Sequence, residues 1–215
     1  MVFSIILIVF LIATLVFVVI TRMAANRLMC NHHDQKRDFF RRHPIQPGDI
    51  VFLGDSLTDG ARWDELFPGK PVKNRGINGD TTHGVLQRLD DILAGKPAVV
   101  FLLIGTNDLA WYSRDEDSNV VKNYRAILDR CRKESPETLV YVQSLLPRAR
   151  HYAVTIQCLN KELQGLANQF GYTYIDLYPH FAGERGELRP ELTNDNIHIL
   201  GAGYDIWVQN IKLYI

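Results

Sequence analysis

At 215 residues and 24.6 kDa the chain is long enough for one α/β domain with a sizeable core plus an appendage. Lys and Arg total 24, as do Asp and Glu, so no net charge draws it to nucleic acid or calls for an acidic partner. Its three cysteines, Cys30, Cys131 and Cys158, are widely spaced with no CxxC pair, which implies neither a disulfide framework nor a zinc site.

The appendage comes first. From Val2 to Ile20 the chain is uncharged, with Ser4 and Thr14 its only polar residues, which is about the length a helix needs to cross a bilayer. Sixteen Leu, Ile, Val or Phe residues in that run make insertion favourable by roughly 5 to 10 kcal/mol. No basic residue precedes the run, and Thr21 to Ala25 is a poor cleavage site, so the segment reads as an uncleaved single-pass anchor rather than a signal peptide. Residues 1–21 are thus a transmembrane anchor and 22–43 a polar, juxtamembrane helical stalk. Within the stalk, His32-His33-Asp34 has no further ligand spaced nearby and reads as exposed side chains rather than a metal site. Arg22, Arg27, Lys36 and Arg37 favour the cytoplasmic side for the domain beyond the stalk, although a lone N-terminal apolar segment also serves as an export signal.

A second unit, 44–215, opens at a turn marked by Pro44 and Gly48. Ile50–Leu53 is a short buried strand and Gly54 permits a sharp turn. A short helix comes next with Trp63, Leu66 and Phe67, ending before Pro68, and then a strand at Val72–Asn74. Thr81 and its neighbours cap a helix whose stripe is Val85, Leu86, Leu89, Ile92 and Leu93, stopped by Gly95. Ala98–Ile104 is apolar throughout, as expected of a central strand covered on both faces. The chain continues with a helix from about Ser118 to Lys133, a strand at Leu139–Gln143, a helix from about Val154 to Phe170 and a strand at Thr173–Ile175. After a Gly-containing loop, Phe181 to Asn194, the last helix runs from Ala202 to about Leu213. Such alternation predicts a three-layer α/β/α sandwich around a five-stranded, flavodoxin-like parallel sheet, with ligands held outside the carboxyl ends of the strands.

Ser56 falls where the first strand gives way to helix. There it is either a helix cap, with Asp55, or a nucleophile beside free backbone N–H groups. Asp195-Asn196-Ile197-His198 sets a carboxylate three residues before an imidazole, so that the carboxylate can hold one ring nitrogen and aim the other. His32, His33 and His43 lie in or near the stalk, His83 in a first helical turn, and His151 and His180 lack such an aspartate. His198 is therefore the best base by spacing.

Four blocks stand in order: Gly54-Asp55-Ser56-Leu57, Asn74-Arg75-Gly76-Ile77-Asn78-Gly79-Asp80, Gly105-Thr106-Asn107-Asp108 and Asp195-Asn196-Ile197-His198. Together they resemble the SGNH, or GDSL, hydrolase superfamily over residues 45 to 215. Gly79-Asp80-Thr81-Thr82, Gly105-Thr106-Asn107 and Leu145-Leu146-Pro147-Arg148 are most similar to the platelet-activating-factor acetylhydrolase catalytic-subunit branch. The resemblance implies that Ser56 is the nucleophile, His198 the base and then acid, and Asp195 its orienting carboxylate. It also implies an oxyanion hole from the backbone N–H groups of Ser56 and Gly79 and the amide of Asn107. Asn78 departs from the pattern, where relatives often carry a smaller residue.

The expectation is a serine esterase cleaving carboxylic esters, of short acyl or acetyl groups on lipid or carbohydrate, with no metal or organic cofactor. Its expected partners are a small-molecule ester and, through the anchor, a membrane, but no nucleic acid. A lysophospholipase, thioesterase or O-acyltransferase with the same triad, and a tethered binding module with a dormant site, are the alternatives. The expected rim is Leu109 to Arg114, Pro147 to Tyr152 and Phe181 to Leu192. Trp111 and Tyr112 either shape a pocket or pack; Arg148 and Arg150 either meet an anionic head group or are solvated.

Overall fold

The computed structural model describes residues 2–111 and 119–215. In chain order the elements are α1 (Val2–Arg42), β1 (Ile50–Gly54), α2 (Ser56–Asp59), α3 (Trp63–Leu66), β2 (Val72–Gly76), α4 (Thr82–Gln87), α5 (Asp90–Leu93) and β3 (Val99–Leu103). They continue with α6 (Thr106–Trp111), α7 (Val120–Glu134), β4 (Leu139–Gln143), α8 (Ala153–Phe170), β5 (Thr173–Ile175), α9 (Tyr178–Phe181) and α10 (Gly201–Ile211).

All five strands are parallel, in the order β2-β1-β3-β4-β5, the flavodoxin-like arrangement expected. β1 and β3 are buried along their whole length, which is why both read as unbroken apolar runs. Because successive side chains leave a strand on opposite faces, each run feeds two cores. Val51, Leu53, Val100 and Leu102 pack with Val85, Leu89, Ile127 and Leu163 on one face. Ile50, Phe52, Val99 and Phe101 pack with Trp63, Phe181 and Trp207 on the other. In the second core Phe52 lies flat on Trp63, ring centroids 3.7 Å apart, and Trp63 meets Trp207 edge to face at 5.2 Å. Both indoles are satisfied: Trp63 donates to the Thr58 carbonyl and Trp207 to Gln143.

Besides the short helices α2, α6 and α9, which the pattern did not mark as separate elements, two elements differ from expectation. The stripe from Val85 to Leu93 is not one helix: α4 ends at Arg88 and α5 restarts after Leu89, with Asp91 and Ile92 donating three residues back to Arg88 and Leu89. The stalk is not a solvated spacer. It continues the apolar segment in a single unbroken helix, and its last turns lie against the domain. Phe40 is buried and carries the Arg75 guanidinium over its ring at 4.6 Å. Lys36 pairs with Asp59 at 2.5 Å, Arg41 with Asp91 at 3.4 Å, and His33 reaches Asp80 at 3.4 Å. His32 and His33 are thus half-buried against aspartates rather than free in solvent. By length and composition the other end of α1 is able to cross a membrane, and its apolar window is wholly unburied.

Candidate active site

Ser56, the loop after β2, Asn107 and the loop before α10 gather at the carboxyl ends of the strands, where β1, β2 and β3 release the chain. Asp55 accepts the Leu57 N–H at 3.0 Å, the cap for which the sequence offered either residue, and this leaves the Ser56 hydroxyl free of capping. That hydroxyl lies 3.0 Å from His198 Nε2. The other ring nitrogen, Nδ1, lies 2.6 Å from Asp195 Oδ2.

Local backbone chemistry shapes the Asp195 loop. Asp195 Oδ1 accepts the N–H groups of Ile197 and His198 at 2.9 and 2.8 Å, and Asn196 sits at φ +63°, a left-handed position that asparagine tolerates. Burial would raise the Asp195 carboxyl. The His198 ring and the two backbone donors outweigh it and hold the carboxyl down at about 2, so Asp195 stays ionised. Both partners remain open to solvent, with 48% of the His198 side chain and 44% of Asp195 accessible.

The β2 loop turns at Gly79, whose φ of +77° suits glycine, and a Cβ there would also collide with Met29 of α1. The Gly79 N–H donates to no group among the described residues. Asn107, near the start of α6, gives one amide hydrogen to the Asp80 carbonyl at 2.8 Å, which fixes the side chain beside Gly79. Asn78 is exposed.

Beneath this surface lies a layer that sequence reasoning missed. Asp80 pairs with Arg88 at 2.8 Å, both almost fully buried, and Arg88 also donates to the Gly54 carbonyl at 3.1 Å. Asp108 accepts the N–H and hydroxyl of Thr82, and Asn123 donates to that hydroxyl. Asp55 is fully buried; burial first, then the nearby carboxylates of Asp80 and Asp108, push it up to about 7 against the pull of the Leu57 N–H. A signal for Arg88 was available: three residues after Val85 and four before Ile92, it sits on the apolar stripe of its helix.

Arg148 corrects an expectation. It is buried, donates to the Thr106 carbonyl at 2.7 Å and lies 4.5 Å over the Tyr152 ring, so it is neither solvated nor held out toward a head group. Arg150 is exposed. Of the expected rim, residues 112–114, Tyr112 and Arg114 among them, lie outside the described residues, as do the side chains of Ala110 and Trp111. Among the described residues no group of three or more His, Cys, Asp or Glu could hold a metal ion.

The sequence pattern of the GDSL-like Lipase/Acylhydrolase family matches residues 52–206. The chain belongs to this family. As a GDSL acylhydrolase it is a carboxylic ester hydrolase with an α/β fold. Its relatives include platelet-activating factor acetylhydrolase IB subunit alpha1 of Rattus norvegicus, 30% identical over 189 residues, spanning 83% of this chain and 78% of the relative. A solved Streptococcus pneumonia structure described as a platelet activating factor superposes with a TM-score of 0.81 at 25% identity, over 91% of this chain and 98% of that one. A GDSL-like lipase of Bacteroides thetaiotaomicron gives 0.74 at 26% identity, over 84% and 95%. The acylhydrolase domain therefore falls within the platelet-activating-factor-acetylhydrolase-like branch of the SGNH hydrolases.

Proposed function

We propose that this acylhydrolase removes short acyl or acetyl groups from lipid or carbohydrate esters through an acyl-serine intermediate at Ser56. The observation that supports this most directly is the 3.0 Å approach of His198 Nε2 to the Ser56 hydroxyl, with Asp195 on the opposite ring nitrogen. Serine is a weak nucleophile unless a base takes its proton as it attacks. Ser56 Oγ would bond to the ester carbonyl carbon while its proton passes to His198 Nε2. Asp195, ionised, would hold the imidazole in orientation and stabilise the imidazolium.

The tetrahedral oxyanion would be met by the N–H groups of Ser56 and Gly79 and by the Asn107 amide hydrogen not engaged by Asp80. One such donor is worth about 2.7 to 4 kcal/mol in the transition state. Collapse would break the bond to the alcohol, whose oxygen takes the proton from His198. Water, deprotonated by the same ring, would then release the acyl group as a carboxylic acid. The openness of Asp195 and His198 to solvent favours water as acceptor over a sugar hydroxyl, because a transferase gains from excluding water.

The apolar end of α1 is read as a single-pass anchor and residues 44–215 as the catalytic domain, joined by the helical segment 22–43. Arg22, Arg27, Lys36 and Arg37 all follow the span and favour the cytoplasmic side for the domain. Full-length protein in detergent should release p-nitrophenol from p-nitrophenyl acetate, and Ser56→Ala should lower kcat by at least about a thousandfold. Equal rates above background from both would end the reading of Ser56, and background rates from both would leave a tethered binding module. Labelling of Ser56 by a fluorophosphonate gives an independent readout.

A further inference from the structure

We propose that the docked end of α1 is a wall of the substrate site, with Met29 setting the size of acyl group accepted. The proposal rests on the reading of Ser56 and Gly79 as catalytic machinery. The family match begins at residue 52, so α1 lies outside the matched residues.

Met29, His33, Lys36 and Phe40 are spaced four, three and four residues apart, which puts them on one face of a helix. Taken from the C-terminal end, their contacts climb the edge of the sheet. Phe40 lies under Arg75 in β2, Lys36 meets Asp59 at the end of α2, His33 meets Asp80, and Met29 reaches Gly79 in the loop beyond β2. The helix therefore passes the carboxyl end of β2 and leaves the domain at the level of the site. It touches both the helix that begins with Ser56 and the loop that carries the Gly79 amide.

Met29 Cε occupies the space that a side chain at position 79 would fill, so a thioether stands next to the amide assigned to the oxyanion. Met29 is also 42% exposed, which places it at a lip rather than in a core. An ester seated with its carbonyl oxygen at Gly79 must direct its leaving oxygen to His198 for protonation, so that group lies toward the loop before α10. Among the described residues the hydrogen bonds and ion pairs of α1 with the domain reach Asp59, Asp80 and Asp91 and none reaches that loop. The side of the carbonyl that α1 faces is the acyl side. Methionine suits such a lip: flexible and apolar, it bounds a short chain and yields to a longer one only with displacement.

The test holds the leaving group constant. Full-length protein, Met29→Ala and Met29→Trp are assayed in one detergent on p-nitrophenyl acetate, butyrate and hexanoate, and the ratio of kcat/KM for hexanoate to acetate is compared with the unsubstituted protein. Met29→Ala should raise that ratio about tenfold and Met29→Trp should lower it about tenfold, the scale on which a hydrophobic pocket discriminates added methylenes. Loss of folding cannot move the two variants in opposite directions. Ratios within twofold of the original, or shifts of the same sign, overturn the proposal while leaving the serine esterase reading intact. If Ser56→Ala, run alongside, hydrolyses acetate at the original rate, the underlying reading fails and the proposal fails with it.

Discussion

Asp55 and Asp195 are two carboxylates in one small region with opposite fates. Asp195 sits at the surface, where the His198 ring and two backbone N–H groups hold it at about 2, while Asp55 is buried beside Ser56 and rises to about 7. A buried acid whose folded value lies above its unfolded value binds more protons in the folded state, so it stabilises below its unfolded value and that contribution is lost as pH rises toward 7. Asp55 should therefore cost the fold up to about 4 kcal/mol between pH 4 and 8. Asp55→Asn keeps the oxygen that caps α2 and removes the titration. Urea unfolding at both pH values should show the variant gaining on the original protein as pH rises; a gap that does not change with pH would mean the carboxyl is not desolvated. Position 55 was legible as a cap and position 56 as a hydroxyl at a strand-to-helix turn. Which of the two caps the helix was not, because either residue could supply the capping oxygen.

The helices α4 and α5 show where periodicity misleads. Every apolar residue of the expected stripe is fully or partly buried, yet the helix breaks at Arg88, whose side chain turns inward to Asp80 and the Gly54 carbonyl. The ion pair ties the loop after β2 to the end of β1, so its geometry bears on both Gly79 and Asn107, the latter through the Asp80 carbonyl. Arg88→Met keeps the length of the side chain and removes the charge, which leaves a buried carboxylate held, among the described residues, by His33 and the Thr81 N–H and facing the carboxylates of Asp55 and Asp108. Removing one partner of a buried pair costs about 3 to 5 kcal/mol. Unfolding of Arg88→Met by urea should report a loss in that range, and adding Asp80→Asn should recover part of it; a loss under about 1 kcal/mol would show that the pair does not brace the loop. Strand positions were readable to within two residues because apolar runs are local. Helix continuity was not, since it depended on a partner eight residues away being buried at the same time.

For the whole molecule the decisive element is α1. Its apolar length is plain from composition, but the fate of its polar half depends on which residues of the domain stand opposite it. Phe40 alone removes a phenyl ring from water, worth roughly 1.5 to 3 kcal/mol. Two fragments test the docking: residues 22–215 retain the packed turns and residues 44–215 lack them. The shorter fragment should unfold at lower urea, with a deficit of about 2 kcal/mol or more, and a matched pair of transitions would show that residues 22–43 contribute nothing to the fold.

What this sequence determined by itself was the order and kind of its elements, the parallel sheet, the four blocks and the apolar run, because each is written in neighbouring residues and short-range spacing. Only the tertiary structure decided that Ser56 and His198, 142 residues apart, meet at 3.0 Å, that Arg148 is consumed inside the domain, and that the stalk lies beside the site. Those outcomes depend on which distant groups share a buried volume, and burial is a property of the assembled chain rather than of any segment within it.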